Sequence, residues 1–242
     1  MKVLSPAVTC LLTSHMKPTL AAAVDSVLAQ TRQDFALIVL DSGQWIGRGD
    51  DVSQALDACH GIYASHPLVE WVTTGERPGL AQRKCPVSWV TNEAIRAGLV
   101  RGRYMCTFYD DDLYDPQFME QMAGYLDDHP ETGAVWCSEN RVSLYLNGTS
   151  AHSYMIPASV PKSGPVFDCQ VDGAQVMWRT SLLEKIGDPW LPEDPDVSSC
   201  CHSDGIFLNK LGEAAGTVEN VAVADPLVTH RNTPWSTYSP SA

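Results

Sequence analysis

The chain is short of positive charge. Its 242 residues carry 16 Lys and Arg against 29 Asp and Glu, a net charge of −13 with a pI near 4.8. A surface of that sign repels phosphate backbones and anionic headgroups, which excludes nucleic acid and anionic lipid as principal partners. A phosphorylated substrate would have to be held by a cation or by a few placed Arg and Lys side chains. Long hydrophobic runs are missing too. No apolar stretch approaches the roughly 20 residues that a membrane-spanning helix needs, and Met1-Lys-Val-Leu-Ser-Pro6 has no signal-peptide core. The expectation is a cytoplasmic protein without a membrane span. No CxxC pair occurs among the eight cysteines, and the adjacent Cys200 and Cys201 do not have zinc-knuckle spacing. Cys10 and Cys137 sit inside apolar runs, where a thiol behaves as a small core hydrophobe, so reduced cysteines are expected. Asn147-Gly-Thr149 matches a glycosylation sequon but, without secretion, reads as a turn.

What is present is an α/β pattern. Ala7-Val-Thr-Cys-Leu-Leu12 and Phe35-Ala-Leu-Ile-Val-Leu40 are continuous apolar runs, the signature of strands buried on both faces. Between them Thr19 precedes a helical stripe at Leu20, Val24, Val27 and Leu28. Strand, helix, strand in this space is a βαβ unit and implies parallel pairing. Further strands are expected over residues 68–72, 103–109 and 133–137, and helices over 52–63, 87–99 and from Asp115-Pro116 onward, with Asp115 as N-cap. From residue 138 the pattern becomes polar and proline-interrupted. Polar strands are expected at 141–146 and 166–167, a short helix at 181–186, a helix starting near Ser203 or Asp204, and a late strand over 221–229. No internal repeat or linker is visible. One domain over 1–242 is expected, with a first half (1–137), an elaborated second half (138–232) and a tail (233–242).

The feature that demands a chemical explanation is Asp110-Asp111-Asp112, at the end of the run Arg103-Tyr-Met-Cys-Thr-Phe-Tyr109. Three adjacent anions need a counter-charge, and hard Mg²⁺ or Mn²⁺ prefers oxygen ligands and shares its shell with substrate phosphates. Open α/β sheets bind ligands at the carboxyl ends of their strands. Asp111-Asp-Leu-Tyr-Asp115 also matches a DDxxD diphosphate motif. That motif must lie on a helix, whereas a strand precedes it here and Pro116 opposes a helix running through. The short DxD signature of nucleotide-sugar enzymes suits a strand end. Arg83 and Lys84, a basic pair in an acidic chain, read either as a solvated helix start or as a phosphate clamp.

Taken together, these segments resemble glycosyltransferase family 2. Val8-Thr-Cys-Leu-Leu-Thr-Ser-His-Met-Lys17, Ser26-Val-Leu-Ala-Gln-Thr31, Asp34-Phe-Ala-Leu-Ile-Val-Leu-Asp41, Gly102-Arg-Tyr-Met with the Asp triplet, Asp172-Gly-Ala-Gln-Val-Met-Trp-Arg179 and Ser203-Asp204 follow in that family's order. Its bacterial spore-coat members are the most similar. The resemblance implies a GT-A fold: a Rossmann-like, mixed, mostly parallel sheet flanked by helices, with a loop-rich acceptor side. It implies a metal-dependent inverting glycosyltransferase of hexosyltransferase type, moving a sugar from a nucleotide-diphospho-sugar to an acceptor hydroxyl. UDP or dTDP donors are favoured, and Mn²⁺ or Mg²⁺ is the implied cofactor. The acceptor would be a small glycoside, a natural product or a glycan, and a homodimer is compatible. Carried over residue by residue, Thr13 and His15 cradle the base, with His15 in place of the usual Tyr. Asp41 accepts from the base, Ser42 replaces the usual second acid, and Arg83 or Lys84 approaches the diphosphate. Counting back from Pro116 makes Asp111 the direct metal ligand, with Asp110 beside the ribose or diphosphate and Asp112 supporting the shell. Counting forward from Phe108 makes Asp110 and Asp112 the pair instead. His230 is a further candidate ligand, and Asp204 is either the base or a helix cap. Trp178 and Trp190 are candidates to stack on sugar rings, and core packing explains Trp178 equally well. The alternative reading is a nucleotide-sugar-binding protein or partner subunit without turnover.

Overall fold

The computed structural model describes residues 5–14, 18–41, 59–73, 86–144, 150–156, 171–191 and 200–232. The first half reads β1 (Val8–Ser14), α1 (Leu20–Leu28), β2 (Phe35–Asp41), β3 (Val69–Thr73), α2 (Pro86–Arg96), β4 (Tyr104–Tyr109), β5 (Asp112–Tyr114), α3 (Phe118–Asp128) and β6 (Ala134–Trp136). The second reads β7 (Glu139–Leu144), β8 (Ser150–Ile156), β9 (Val176–Arg179), α4 (Leu182–Ile186), α5 (Cys200–Ala215), β10 (Val218–Asn220) and β11 (Val228–Asn232). Of the expected helix over 52–63, residues 59–63 are described and helical. The expected strand at 166–167 lies outside the described residues.

Seven strands form the main sheet in the order β10-β6-β9-β4-β1-β2-β3. All its pairings are parallel except those of β9, which runs antiparallel between β4 and β6. Every residue of β1 is buried, as its unbroken apolar run requires of a central strand covered on both faces. The alternation of the strands divides the core between two helical layers. Val8, Cys10, Leu12, Leu37, Val39, Cys106 and Phe108 pack with α1 and α3, through Val24, Val27, Phe118, Met122 and Leu126. Leu11, Ile38, Leu40, Met105 and Trp178 pack with α2 and α5, through Trp89, Val90, Phe207, Leu208 and Leu211. Trp178 is therefore a core residue, edge-on to Phe207 at 5.1 Å. Cys10, Cys59, Cys106 and Cys137 are free, buried thiols, as their apolar surroundings predict.

The sheet approaches closest at Gly102, where a Cβ would lie 2.7 Å from the Ala7 carbonyl oxygen and 2.8 Å from the Thr9 nitrogen. The glycine lets the turn into β4 lie against β1, where the Gly102 amide donates to Thr9 Oγ1 at 2.9 Å.

A second, four-stranded sheet, in the order β5-β11-β7-β8, stands at the carboxyl end of β4. Three segments depart from the sequence expectation here. Residues 113–116, read as a turn opening a helix, contain β5, and α3 starts only at Phe118. Asp115 is not its N-cap; its Oδ1 accepts from the Gln117 amide at 2.9 Å, one turn earlier. The segment before the short helix α4 carries an unexpected strand, β9, and of the late strand expected over 221–229 only the end is strand, as β11, with β10 lying wholly before it.

Candidate active site

β1 lies between β2 and β4, so the chain's order reverses beside it. Such a switch point leaves a crevice at the carboxyl edge of an open α/β sheet. The register sets what lines it. Ser14 is paired with Asp41, and Thr13 with Tyr109, so Asp41, Ser14 and Asp110 end three adjacent strands at one level. Ser14 and Asp41, as register partners, project from the same side of the sheet. Ser14 Oγ donates to Asp110 Oδ2 at 3.0 Å. The buried Thr13 alternates to the other side, where its hydroxyl meets that of Thr91 at 3.4 Å.

Asp110 and Asp111 make the turn between β4 and β5, and Asp112 opens β5. All three are buried, at 1%, 4% and 0% exposure. Carboxylates in that state need compensation, and it comes from the far end of the chain. β11 pairs with β5 so that His230 stands opposite Asp112. His230 Nδ1 lies 2.7 Å from Asp112 Oδ1, an ion pair that lacks the alignment of a hydrogen bond. Asp112 Oδ2 is buried with no hydrogen-bond partner among the described residues. Burial raises the Asp112 pKa to about 7 against the lowering influence of His230. Burial pulls His230 down, but Asp112, Asp172 and Asp111 outweigh it and raise the imidazole to about 10. The next residue, Arg231, donates from Nε to the Asp111 carbonyl at 2.7 Å.

β7 continues the row on the other side of β11, with Arg141 opposite His230. Arg141 pairs with the buried Glu139 and approaches Asp172 at 3.8 Å. Burial raises the Glu139 pKa, with Asp172 adding to the effect and Arg141 opposing it. Asp172 is itself held by a capping box with Gln175, whose Nε2 donates to the Cys137 carbonyl at 2.7 Å.

Asp204 is the fifth residue of α5, which begins at Cys200 rather than near 203, so Asp204 does not cap this helix. The far end of α5 is pinned to the start of β6: the Gly133 amide donates to the Thr217 carbonyl at 3.1 Å. A Cβ on Gly133 would lie 2.7 Å from that of Ala215. The helix thus runs antiparallel to β6, and Asp204 belongs to the half of α5 directed toward the carboxyl edge.

The sequence residues Thr13, Asp41, Asp110, Asp111, Asp112 and His230 therefore meet at one end of the sheet. His15, Ser42, Arg83 and Lys84 lie outside the described residues. Trp190 is half-buried, its indole N–H donating to the Leu183 carbonyl at 2.9 Å. Ser14, Glu139, Arg141, Asp172 and Arg231 were not singled out as site residues. Ser14 was legible as the strand-end neighbour of Asp41; the others depend on pairings across the second sheet. Among the described residues no three His, Cys, Asp or Glu side chains converge on one point as a preformed metal cage. The donor set is nonetheless all carboxylate oxygen, one of them buried without a hydrogen bond. That fits a hard cation bound by one or two carboxylates, with phosphate oxygens completing its shell.

Known proteins resemble this chain in sequence and in fold. Protein CgeD of Bacillus subtilis (strain 168) is 26% identical over 209 residues, covering 84% of this chain and 46% of that protein. The chain thus spans about half the length of this curated relative. The crystal structure of S. aureus TarS 1–349 in complex with UDP-GlcNAc superposes with a TM-score of 0.63 at 14% identity, over 100% of this chain and 62% of that one. The S. aureus TarS crystal structure of which 37% is covered gives a TM-score of 0.59 at 15% identity, over 96% of this chain. These likenesses establish the GT-A fold. The model of the family described as glycosyl transferase family 2 matches residues 8–144, more than half of the sequence, and the chain belongs to that family.

Proposed function

We propose that the protein is a metal-dependent, inverting glycosyltransferase that moves a sugar from a nucleotide-diphospho-sugar to an acceptor hydroxyl in the cytoplasm. One observation carries the reading: Asp41, Ser14 and the buried Asp triplet line the carboxyl edge of the sheet at its switch point. The complex of TarS with UDP-GlcNAc supports a UDP-sugar as donor. Asp41 accepts from the base ring N–H, with His15 beside it, while Thr13, its hydroxyl against Thr91 on the other side of the sheet, supports the strand end from behind. Asp110, oriented by Ser14, faces the ribose or diphosphate, toward which Arg83 or Lys84 reaches. Asp111 holds Mg²⁺ or Mn²⁺, and Asp112, fixed by His230, supports it. When bound, the cation stabilises the negative charge of the departing diphosphate.

Asp204 acts as the base. It takes the proton of the acceptor hydroxyl as that oxygen bonds to the anomeric carbon. The bond from that carbon to the β-phosphate oxygen breaks, and the nucleoside diphosphate leaves from the opposite face. The segment after residue 138 shapes the acceptor side, for a small glycoside, natural product or glycan.

A thermal-shift panel of UDP, dTDP and GDP, each with Mn²⁺, tests fold, metal and donor together. Stabilisation by at least one is expected, and none by any refutes the reading. Asp204→Asn should keep donor binding and lose transfer. Full transfer by that variant removes Asp204 from the mechanism. Donor binding without hydrolysis or transfer by the unaltered protein would favour a binding subunit.

A further inference from the structure

Arg231 stands where two loops of the site meet. Its Nε donates to the Asp111 carbonyl at 2.7 Å, and its Nη2 lies 3.3 Å from the Thr19 carbonyl and 3.4 Å from that of Asp112. Thr19 ends the loop between β1 and α1, and Asp111 lies in the turn between β4 and β5. These are the two loops on either side of the switch-point crevice. A single planar guanidinium, a rigid fork of donors, therefore spans them. The residue comes from β11, 120 positions after Asp111. Its charge is enclosed with the Asp triplet: burial lowers its pKa, while Asp112, Asp111 and Asp110 act the other way.

We propose that Arg231 is a positioning residue for the donor diphosphate, tying the acidic turn to the loop before α1 and so setting the width of the crevice mouth. This rests on the nucleotide-sugar reading above. The guanidinium binds backbone carbonyls, so it fixes the path of both loops rather than the rotamer of one side chain. With the strap in place, the carboxylates of the turn are presented to a cation–diphosphate at a set distance from the base-binding strand end. Without it, the two loops are free to separate and the turn loses its nearest full positive charge on the backbone side. Recognition of the base through Asp41 depends on the ladder of β1 and β2, which the strap does not touch.

Calorimetry of the full chain with two probes, uridine and UDP with Mn²⁺, separates these effects. Arg231→Gln should bind uridine within about 2-fold of the unaltered protein but UDP with Mn²⁺ at least 10-fold more weakly. Arg231→Lys, which keeps the charge but not the fork, should lie between. Equal affinity of Arg231→Gln and the unaltered protein for UDP with Mn²⁺ overturns the inference. So does a loss of the same factor for both probes, the mark of a merely structural role. If Arg231→Gln does not fold, the Lys variant carries the same comparison, and the same two equalities overturn it. If the unaltered protein binds neither UDP nor dTDP or GDP with Mn²⁺, the nucleotide-sugar reading fails and takes the strap with it.

Discussion

Replacing His230 with Gln removes the charge facing Asp112 while keeping a side chain of similar reach. Asp112 is 0% exposed and its imidazole partner lies 2.7 Å away. An ionised carboxylate stranded there would cost several kcal/mol, so the group takes up a proton instead. Removing an imidazole raised from 6.5 to about 10 forfeits roughly 3 to 4 kcal/mol at pH 7, from about 1.36 kcal/mol per pH unit, within the range for breaking a buried pair. The sign follows from the direction of the shift. His230, raised to about 10, contributes stability that is complete below about 6.5 and is lost as pH climbs through 10. Urea unfolding in EDTA, which keeps cations from taking the place of the imidazolium, measures the loss; about 3 kcal/mol moves the midpoint by about 1 M or more. A loss under about 1 kcal/mol at pH 7, or one that does not shrink between pH 7 and pH 10, refutes the argument.

Asp41→Asn should weaken UDP binding by about 10-fold or more, the value of a hydrogen bond to a charged group; unchanged affinity would mean that Asp41 does not read the base. Asp111→Ala should abolish the difference between UDP binding in Mn²⁺ and in EDTA. A difference as large as in the unaltered protein moves the direct ligand to another carboxylate of the triplet. Gly102→Ala should destabilise by about 2 kcal/mol or more, because the added methyl meets three backbone atoms inside 3 Å. A midpoint change within error would show that β1 and the turn before β4 can separate at little cost.

The central strands were legible because each had to be apolar on both faces. β1, β2 and β4 each lie within two residues of their sequence-based bounds, and the parallel pairing of β1 with β2 followed from the βαβ spacing. The strand-end position of the Asp triplet was legible for the same reason. What the sequence hid was short and irregular. β5 is three residues of an acidic turn, and β9 follows a capped single turn at Gly173–Gln175 that reads like a helix start. Neither has enough residues to show a period. The start of α5 was missed because Ser203 and Asp204 are good caps by type, yet the helix already begins at Cys200. The pairing of His230 with Asp112 could not be read at all, since it is a register relation between strands more than 100 residues apart.

That long-range pairing bears on where the functional unit lies. The family model ends at residue 144, but the sheet does not. β9 is inserted between β4 and β6, and without it β6 and β10 have no hydrogen-bonded connection to the other four strands of the main sheet. β11 supplies both the imidazole opposite Asp112 and the guanidinium on the Asp111 carbonyl. A fragment ending at 144 would retain three buried carboxylates and lose both cations that β11 brings to them. The repulsion inside the triplet would then fall on a sheet already missing its middle. Residues after 144 are therefore part of the acidic site as well as of the sheet that carries it.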